Sequence, residues 1–236
     1  MISFNSLSSA KTLTFAYVED LAPWITSKDS GIIVDIIQSC LGEGEYKIKG
    51  ELFPYLRRFQ AFKIDKNIDA IIDITETGIK EQNLKGYFTG NIYAYENFAF
   101  SLSKNNYKIN KISDLRNFSL LSWQGAASYL GADYALMTKN NKKYNETSRQ
   151  KNQVEMLLLG RYDFVQMDLS IFNYYLEQLK KEAKIDTSQP VDKFALFGKS
   201  PNGILFKSKE LRDLCLKNLK KSQEDPALKK YLYLNH

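Results

Sequence analysis

The sequence predicts an α/β fold built as two lobes, and three observations carry that expectation. Strand-like and helix-like segments alternate along all 236 residues. Residues 68–74 form an apolar run broken only by Asp69 and Asp73, the pattern of a strand buried on both faces of a parallel sheet. The chain also echoes itself: Phe62 followed by Asn67-Ile68-Asp69-Ala70-Ile71-Ile72-Asp73 lies beside Leu159-Gly160-Arg161-Tyr162-Asp163-Phe164-Val165-Gln166-Met167-Asp168. Both read as helix, tight turn, Asp, apolar strand, then polar residues. Such a length holds either one large domain or two, each of roughly 100 to 120 residues with its own core.

Taken in order, residues 13–18 (LTFAYV) are β-rich and run into Glu19-Asp20-Leu21-Ala22-Pro23-Trp24, where the proline interrupts pairing and opens a loop. Gly31 precedes Ile32, Ile33, Ile36, Ile37, Cys40 and Leu41 at helical spacing, with Gly42 and Gly44 suited to the C-terminal cap. Residues 46–52 alternate as a second strand, and 54–62 read as a helix with Leu56, Phe59 and Phe62 on its apolar side. Residues 93–102 are extended again, and the polar stretch 103–110 marks a boundary. A second series follows: strand 118–122, helix 125–137, polar stretch 139–146, helix 154–159, strand 162–167 and helix 170–183. Residues 194–197 and 203–206 are extended, then a basic helix and a shorter one after Pro226 close the chain.

Composition narrows the function classes. With 44% hydrophobic and 25% charged residues the chain has ordinary globular composition. Its apolar runs are far shorter than the roughly 20 residues of a membrane span. Residues 1–11 lack the charged and apolar regions of a secretory signal, so an export signal is not expected within this sequence. One histidine, His236, and two cysteines exclude a Cys/His zinc cluster and a histidine-dependent triad. Asp/Glu metal sites have no motif here, and no cofactor is expected. Cys40 and Cys215 each sit in a helical apolar pattern and read as two buried thiols, a disulfide being the second reading. The net charge is +6, and from Lys199 onward nine Lys or Arg face four Asp or Glu, so five of the six charges lie there. They flank a leucine stripe, the mark of a helix with one solvated face rather than of a nucleic-acid footprint.

The order of these pieces resembles the type II periplasmic solute-binding proteins, and within them the extracellular solute-binding family 3 that serves polar amino-acid ABC transporters. The resemblance spans nearly the whole chain. It rests on Pro23-Trp24, Gly31-Ile32-Ile33-Val34-Asp35, Phe53-Pro54-Tyr55-Leu56-Arg57, Asp69 before its strand, and Thr75-Glu76-Thr77 with Lys80. It continues through Phe88-Thr89 with Tyr93, Ser113-Asp114-Leu115-Arg116, Gln124-Gly125-Ala126-Ala127-Ser128, and Gly160-Arg161 with Asp163 and Asp168. That family's fold implies a two-lobed clamshell, each lobe a mixed sheet flanked by helices. Lobe one would comprise 1–101 and 193–236, lobe two 102–192, with two hinge strands near 95–101 and 193–197 and closure trapping a ligand.

The same resemblance nominates ligand residues. Thr75 and Thr77 match positions that bond a ligand carboxylate, and Lys80 stands where the family places an arginine fork; a lysine offers only a point charge. Arg57 is then a second candidate for the anion. Asp168 matches the carboxylate that accepts a ligand ammonium, and equally suits the N-cap of the helix after it. Gln124, Ala127 and Ser128 open a small-residue helix whose N–H groups suit an anion, and Trp123 offers a stacking platform. Trp24, Phe53 and Tyr55 would form an apolar wall, and Glu19 and Asp20 would meet an ammonium or remain solvated.

The resemblance implies a non-enzymatic, periplasmic or exported protein that acts as a monomer. It would capture a small polar ligand, an amino acid or related zwitterion or carboxylate, between its lobes and deliver it to an ABC permease in the inner membrane, with no nucleic acid as partner. A ligand-sensing module that uses the same shape for signalling is the alternative.

Overall fold

The computed structural model describes residues 10–42 and 46–233, so Gly44, residues 1–9 and His236 lie outside the described residues. The chain divides into two compact units. Unit one holds 10–19, 27–92 and 203–233, and unit two holds 20–26 and 93–202.

Unit one opens with β1 (Lys11–Val18), whose residues from Leu13 on are buried, followed by α1 (Ile32–Leu41) and β2 (Tyr46–Phe53). Next come α2 (Arg57–Ile64), β3 (Ala70–Ile74), the one-and-a-half-turn α3 (Glu76–Glu81) and the two-residue β4 (Tyr87–Phe88). β2 and β3 both run parallel to β1, with Lys11 opposite Tyr46 and Phe15 opposite Ala70. Parallel neighbours require helical crossovers, which α1 and α2 supply. All five residues of β3 are buried, as a run apolar on both faces demands.

Unit two opens with the ten-residue β5 (Tyr93–Leu102), then β6 (Leu120–Trp123), α4 (Ala126–Tyr129), α5 (Ala132–Lys139) and β7 (Tyr144–Thr147). α6 (Gln150–Leu158), β8 (Phe164–Asp168), α7 (Leu169–Glu182) and β9 (Val191–Phe194) follow. β7 and β8 flank β6 in parallel, and β5 runs antiparallel to both β8 and β9. β10 (Lys199–Phe206) serves both units in turn. Its first half pairs with β5, while Gly203–Phe206 pairs antiparallel with β3 of unit one. Gly203 lies so close to the Gly90 carbonyl that a Cβ there would collide with it. α8 (Lys209–Ser222) and α9 (Pro226–Lys229) complete unit one.

The internal echo has a physical basis in both units. In unit one the Asp69 carboxylate accepts the Thr14 N–H at 2.8 Å, while its own N–H donates to the Thr14 carbonyl. In unit two Asp163 accepts both the Ser119 N–H at 2.8 Å and the Ser119 hydroxyl at 2.7 Å. Each aspartate therefore clamps the start of its own strand to the parallel strand beside it, β3 to β1 and β8 to β6. Burial pushes the Asp163 carboxyl up, but the hydrogen bonds from Tyr107 and Ser119 bring it below the usual value; the Tyr107 phenol is pushed up to about 12, chiefly by its bond to Asp163.

The structure corrects several sequence expectations. The helix expected over 125–137 is two helices, because Gly131 takes φ +94° between them. The polar stretch 139–146 runs into β7, an edge strand, and the extended segment expected at 194–197 is β9, three residues earlier. The two cysteines are not free thiols: Cys40 of α1 and Cys215 of α8 form a disulfide, with their Cα atoms 4.3 Å apart and both side chains buried. α8 buries Leu211, Cys215 and Leu219 and leaves Lys209, Lys217, Lys220 and Lys221 exposed, which accounts for the basic C-terminal charge.

The cross-link closes a loop of 175 residues, so its main effect is to restrict the unfolded chain. Replacing both cysteines with alanine is expected to lower stability by about 2–5 kcal/mol. Denaturant unfolding of the double variant beside the oxidised parent measures that loss.

Candidate functional site

The most constrained polar group in unit two is Asp168, the last residue of β8 and the N-cap of α7. Its side chain is 4% exposed. Oδ1 accepts the Ser170 N–H at 2.9 Å and the Ile171 N–H at 3.1 Å, so the helix-cap reading of this residue holds. Oδ1 also accepts the indole Nε1–H of Trp24 at 3.0 Å, and Oδ2 accepts the backbone N–H of Glu96 at 2.8 Å. Four donors thus meet a group with about four acceptor positions when ionised. Burial pushes the Asp168 carboxyl up, with the bonds from Trp24, Glu96, Ile171 and Ser170 acting against it. Among the described residues no Lys or Arg forms an ion pair with it.

Trp24 reaches Asp168 from segment 20–26, the short piece between β1 and α1 that belongs to unit two. The indole is 2% exposed and sits edge-on to Tyr95, centroids 4.6 Å apart, and 5.8 Å from Tyr93. Leu21, Ala22 and Ile25 are buried with it. Asp20, in the left-handed region at φ 55°, is exposed, but its carbonyl accepts the Gln150 side-chain N–H at 3.2 Å. The polar neighbours deeper in the sheet are amides. Gln166 donates to Asn97 at 2.8 Å, Asn97 to Ser200 at 3.0 Å, and Gln153 to the carbonyls of Leu121 and Gln166.

The small-residue turn expected to bind an anion already holds one. The N–H groups of Gly125 and Ala127 donate to Glu146 of β7 at 2.8 and 3.1 Å. Glu146 also accepts the Tyr144 hydroxyl at 2.7 Å. Gln124 and Ser128 are exposed, and Trp123 is half-buried against the Tyr129 ring, 5.4 Å between centroids. Sequence reasoning passed over Glu146 because it lies in a polar stretch whose Tyr144 and Thr147 were the only β signal.

In unit one the buried arginine is Arg58, not the Arg57 singled out from the sequence. Arg57 is exposed, while Arg58 is 0% exposed. Its fork donates to the carbonyls of Tyr55, Ile72 and Asp73, the last at 2.9 Å, and Nη2 lies 3.3 Å from the Asp73 carboxylate. The guanidinium also lies over the rings of Tyr55 and Phe59, 4.6 and 4.5 Å from their centroids. Asp73 adopts φ 55° inside a strand, and the arginine holds that strained turn of the backbone in place. The available signal was periodicity, since Arg58 follows Tyr55 by three and precedes Phe62 by four, on the apolar side of α2.

The remaining nominated residues of unit one are spread over its surface and its core edge. Thr75 caps α3, its Oγ1 accepting the Gly78 N–H at 3.0 Å, and Thr77 is exposed. Lys80 is exposed and pairs with Glu76 at 3.0 Å on the same helix. Glu19 is exposed, its N–H donating to the Phe53 carbonyl. Phe53 and Tyr55 pack beside Phe59 and Phe62, and burial is the main cause raising the Tyr55 phenol above its usual value.

Among the described residues no group of three His, Cys, Asp or Glu is placed to hold a metal ion, and no helix is long and apolar enough to cross a membrane. No family model and no curated protein matches the chain. Solved structures do. One, from work on glutathione import in Gram-positive bacteria via GshT and the cystine ABC importer TcyBC of Streptococcus mutans, is 19% identical with a TM-score of 0.73 and covers 96% of this chain and 98% of its own. A histidine kinase sensor domain with similarity to periplasmic binding proteins is 14% identical at TM-score 0.72, covering 94% of each chain. An ancestral arginine-binding protein bound to arginine is 19% identical at TM-score 0.70, covering 93% of this chain and 95% of that one. At these identities the likeness is one of fold: the chain has the mixed α/β fold of the type II periplasmic binding proteins.

Two substitutions test the polar anchors. Arg58→Met removes the cation that lies 3.3 Å from buried Asp73 and is expected to cost about 3–5 kcal/mol of stability. Trp24→Phe keeps an aromatic side chain but removes the indole N–H that donates to Asp168 along with part of the buried ring, for an expected loss of at least about 1.5–3 kcal/mol. Urea unfolding midpoints measure both.

Proposed function

We propose that this chain is a non-catalytic solute-binding protein that captures a small polar solute, an amino acid or a related zwitterion or carboxylate, for uptake through an ABC permease. The observation that carries the reading is the extent of the likeness in fold. It takes in nearly all of this chain and nearly all of a structure tied to a cystine ABC importer, and again of an arginine-binding protein. The family motifs in order along the sequence, from Pro23-Trp24 to Asp168, support it independently. A protein of this kind works outside the cytoplasm, and the Cys40–Cys215 disulfide fits an oxidising compartment.

A second reading, ligand sensing for signalling, is favoured by one specific observation: the equally extensive likeness to a histidine kinase sensor domain. The two readings separate in cells. Transport predicts that deleting the protein abolishes uptake of its labelled solute; sensing predicts that uptake persists while the solute-dependent response is lost.

Binding itself is tested by thermal unfolding against arginine, glutamine, cystine, glutathione and simple carboxylates. A true solute at about 100 times its Kd adds about 2.7 kcal/mol, which raises Tm by about 5–10 °C for a chain of this size. A flat response across the panel would contradict the proposal.

A further inference from the structure

We infer that Trp24 is a specificity-determining residue: it occupies the Asp168 carboxylate, so the bound solute is not held through an ammonium group at that carboxylate. The inference rests on the solute-binding reading and refines which solute groups are recognised.

An ionised carboxylate offers about four acceptor positions, and Asp168 receives four N–H groups, from Trp24, Glu96, Ser170 and Ile171. Three of the donors are backbone groups fixed by α7 and β5. The fourth is a side chain that nothing in helix capping requires. Access closes the matter more firmly than the hydrogen bonds do. Asp168 is 4% exposed, and the side chains around the indole, Tyr93 and Tyr95, are 0% and 6% exposed. They lie within ring-packing distance of Trp24, at 5.8 and 4.6 Å between centroids. An incoming ammonium would have to break the Trp24 bond and open this aromatic cluster together with the buried Leu21, Ala22 and Ile25 of the same segment.

The electrostatics agree. The amides beyond Asp168, Asn97 and Gln166, are bonded to one another, and among the described residues no Lys or Arg forms an ion pair with Asp168. The carboxylate is met by neutral donors alone, three on Oδ1 and one on Oδ2, and its burial rather than the donor count bars a ligand. The Gly125 and Ala127 amides are likewise satisfied within the chain, by Glu146. A solute accepted by this protein is therefore recognised through groups other than an ammonium seated on Asp168.

The test pairs amino acids with their deaminated twins: arginine with 5-guanidinopentanoic acid, and glutamine with 4-carbamoylbutanoic acid. The wild-type protein is labelled with 15N and the indole N–H resonance of Trp24 is followed to saturation, its assignment fixed by its loss in Trp24→Phe. The expected result is one Trp24 resonance position shared by both members of a binding pair. A Trp24 resonance that moves with the amino acid but not with its twin, the amino acid binding at least about tenfold more tightly, overturns the inference. If neither series binds and cystine, glutathione and simple carboxylates do not bind either, the solute-binding reading itself fails and the inference falls with it. That outcome is distinct, because no ligand of any kind then perturbs any resonance.

Discussion

A buried charge must be answered at once and in full, and in this fold the charge is Asp168. The residue ends a central strand and begins the longest helix of unit two, so its position is set by chain connectivity rather than by any partner. Taking a carboxylate out of water without hydrogen bonds is prohibitively costly. The answer comes from three directions: the first turn of α7, the backbone of β5 and the indole of Trp24. Together these donors order the start of α7, fix β5 beside β8 and hold Trp24, with the buried Leu21, Ala22 and Ile25 of its segment, within unit two.

Unit one meets the same kind of demand by different means. Its central strand β3 also runs into a capped helix, but the cap is Thr75 and the charge beside it is Asp73, answered by the guanidinium of Arg58. Arginine is suited to this place because its planar fork serves several carbonyls and a carboxylate at once. Lys80, which is exposed and paired with Glu76, plays no part in that cluster. The anchors of the two units thus differ in charge type, one closed by a cation and the other by neutral N–H groups. Where the chain is expected to offer charges to a ligand, it has largely met them itself, at Asp168 and again at Glu146.

The α/β character was legible because it depends on local signals. The apolar run of β3, the stripe of α1 and the repeated Asp before β3 and β8 each state their surroundings within a few residues. The break at Gly131 was missed because glycine in a helical pattern carries two meanings, tolerated residue or turn, and only its φ of +94° decides between them. The candidate site was less legible for a different reason. Which of Arg57 and Arg58 is buried follows from one step of helical rotation, and the trapping of Trp24 by Asp168 joins residues 144 positions apart. Local pattern and the family resemblance singled out Trp24 and Asp168 separately, yet could not show that each is the other's partner. The disulfide was hidden in the same way, since two cysteines on apolar helix faces read as core residues until α1 and α8 are seen side by side.

Hydrogen exchange at the Trp24 indole, followed by NMR on the solute-free protein, tests the central claim most directly. With the Nε1 proton held by Asp168 inside a closed aromatic cluster, exchange requires an opening as large as that which frees the amides of β8, and the two are expected to exchange on the same slow scale. An indole proton that exchanges as fast as that of an exposed tryptophan would contradict the account, because it would leave the buried carboxylate open to another partner.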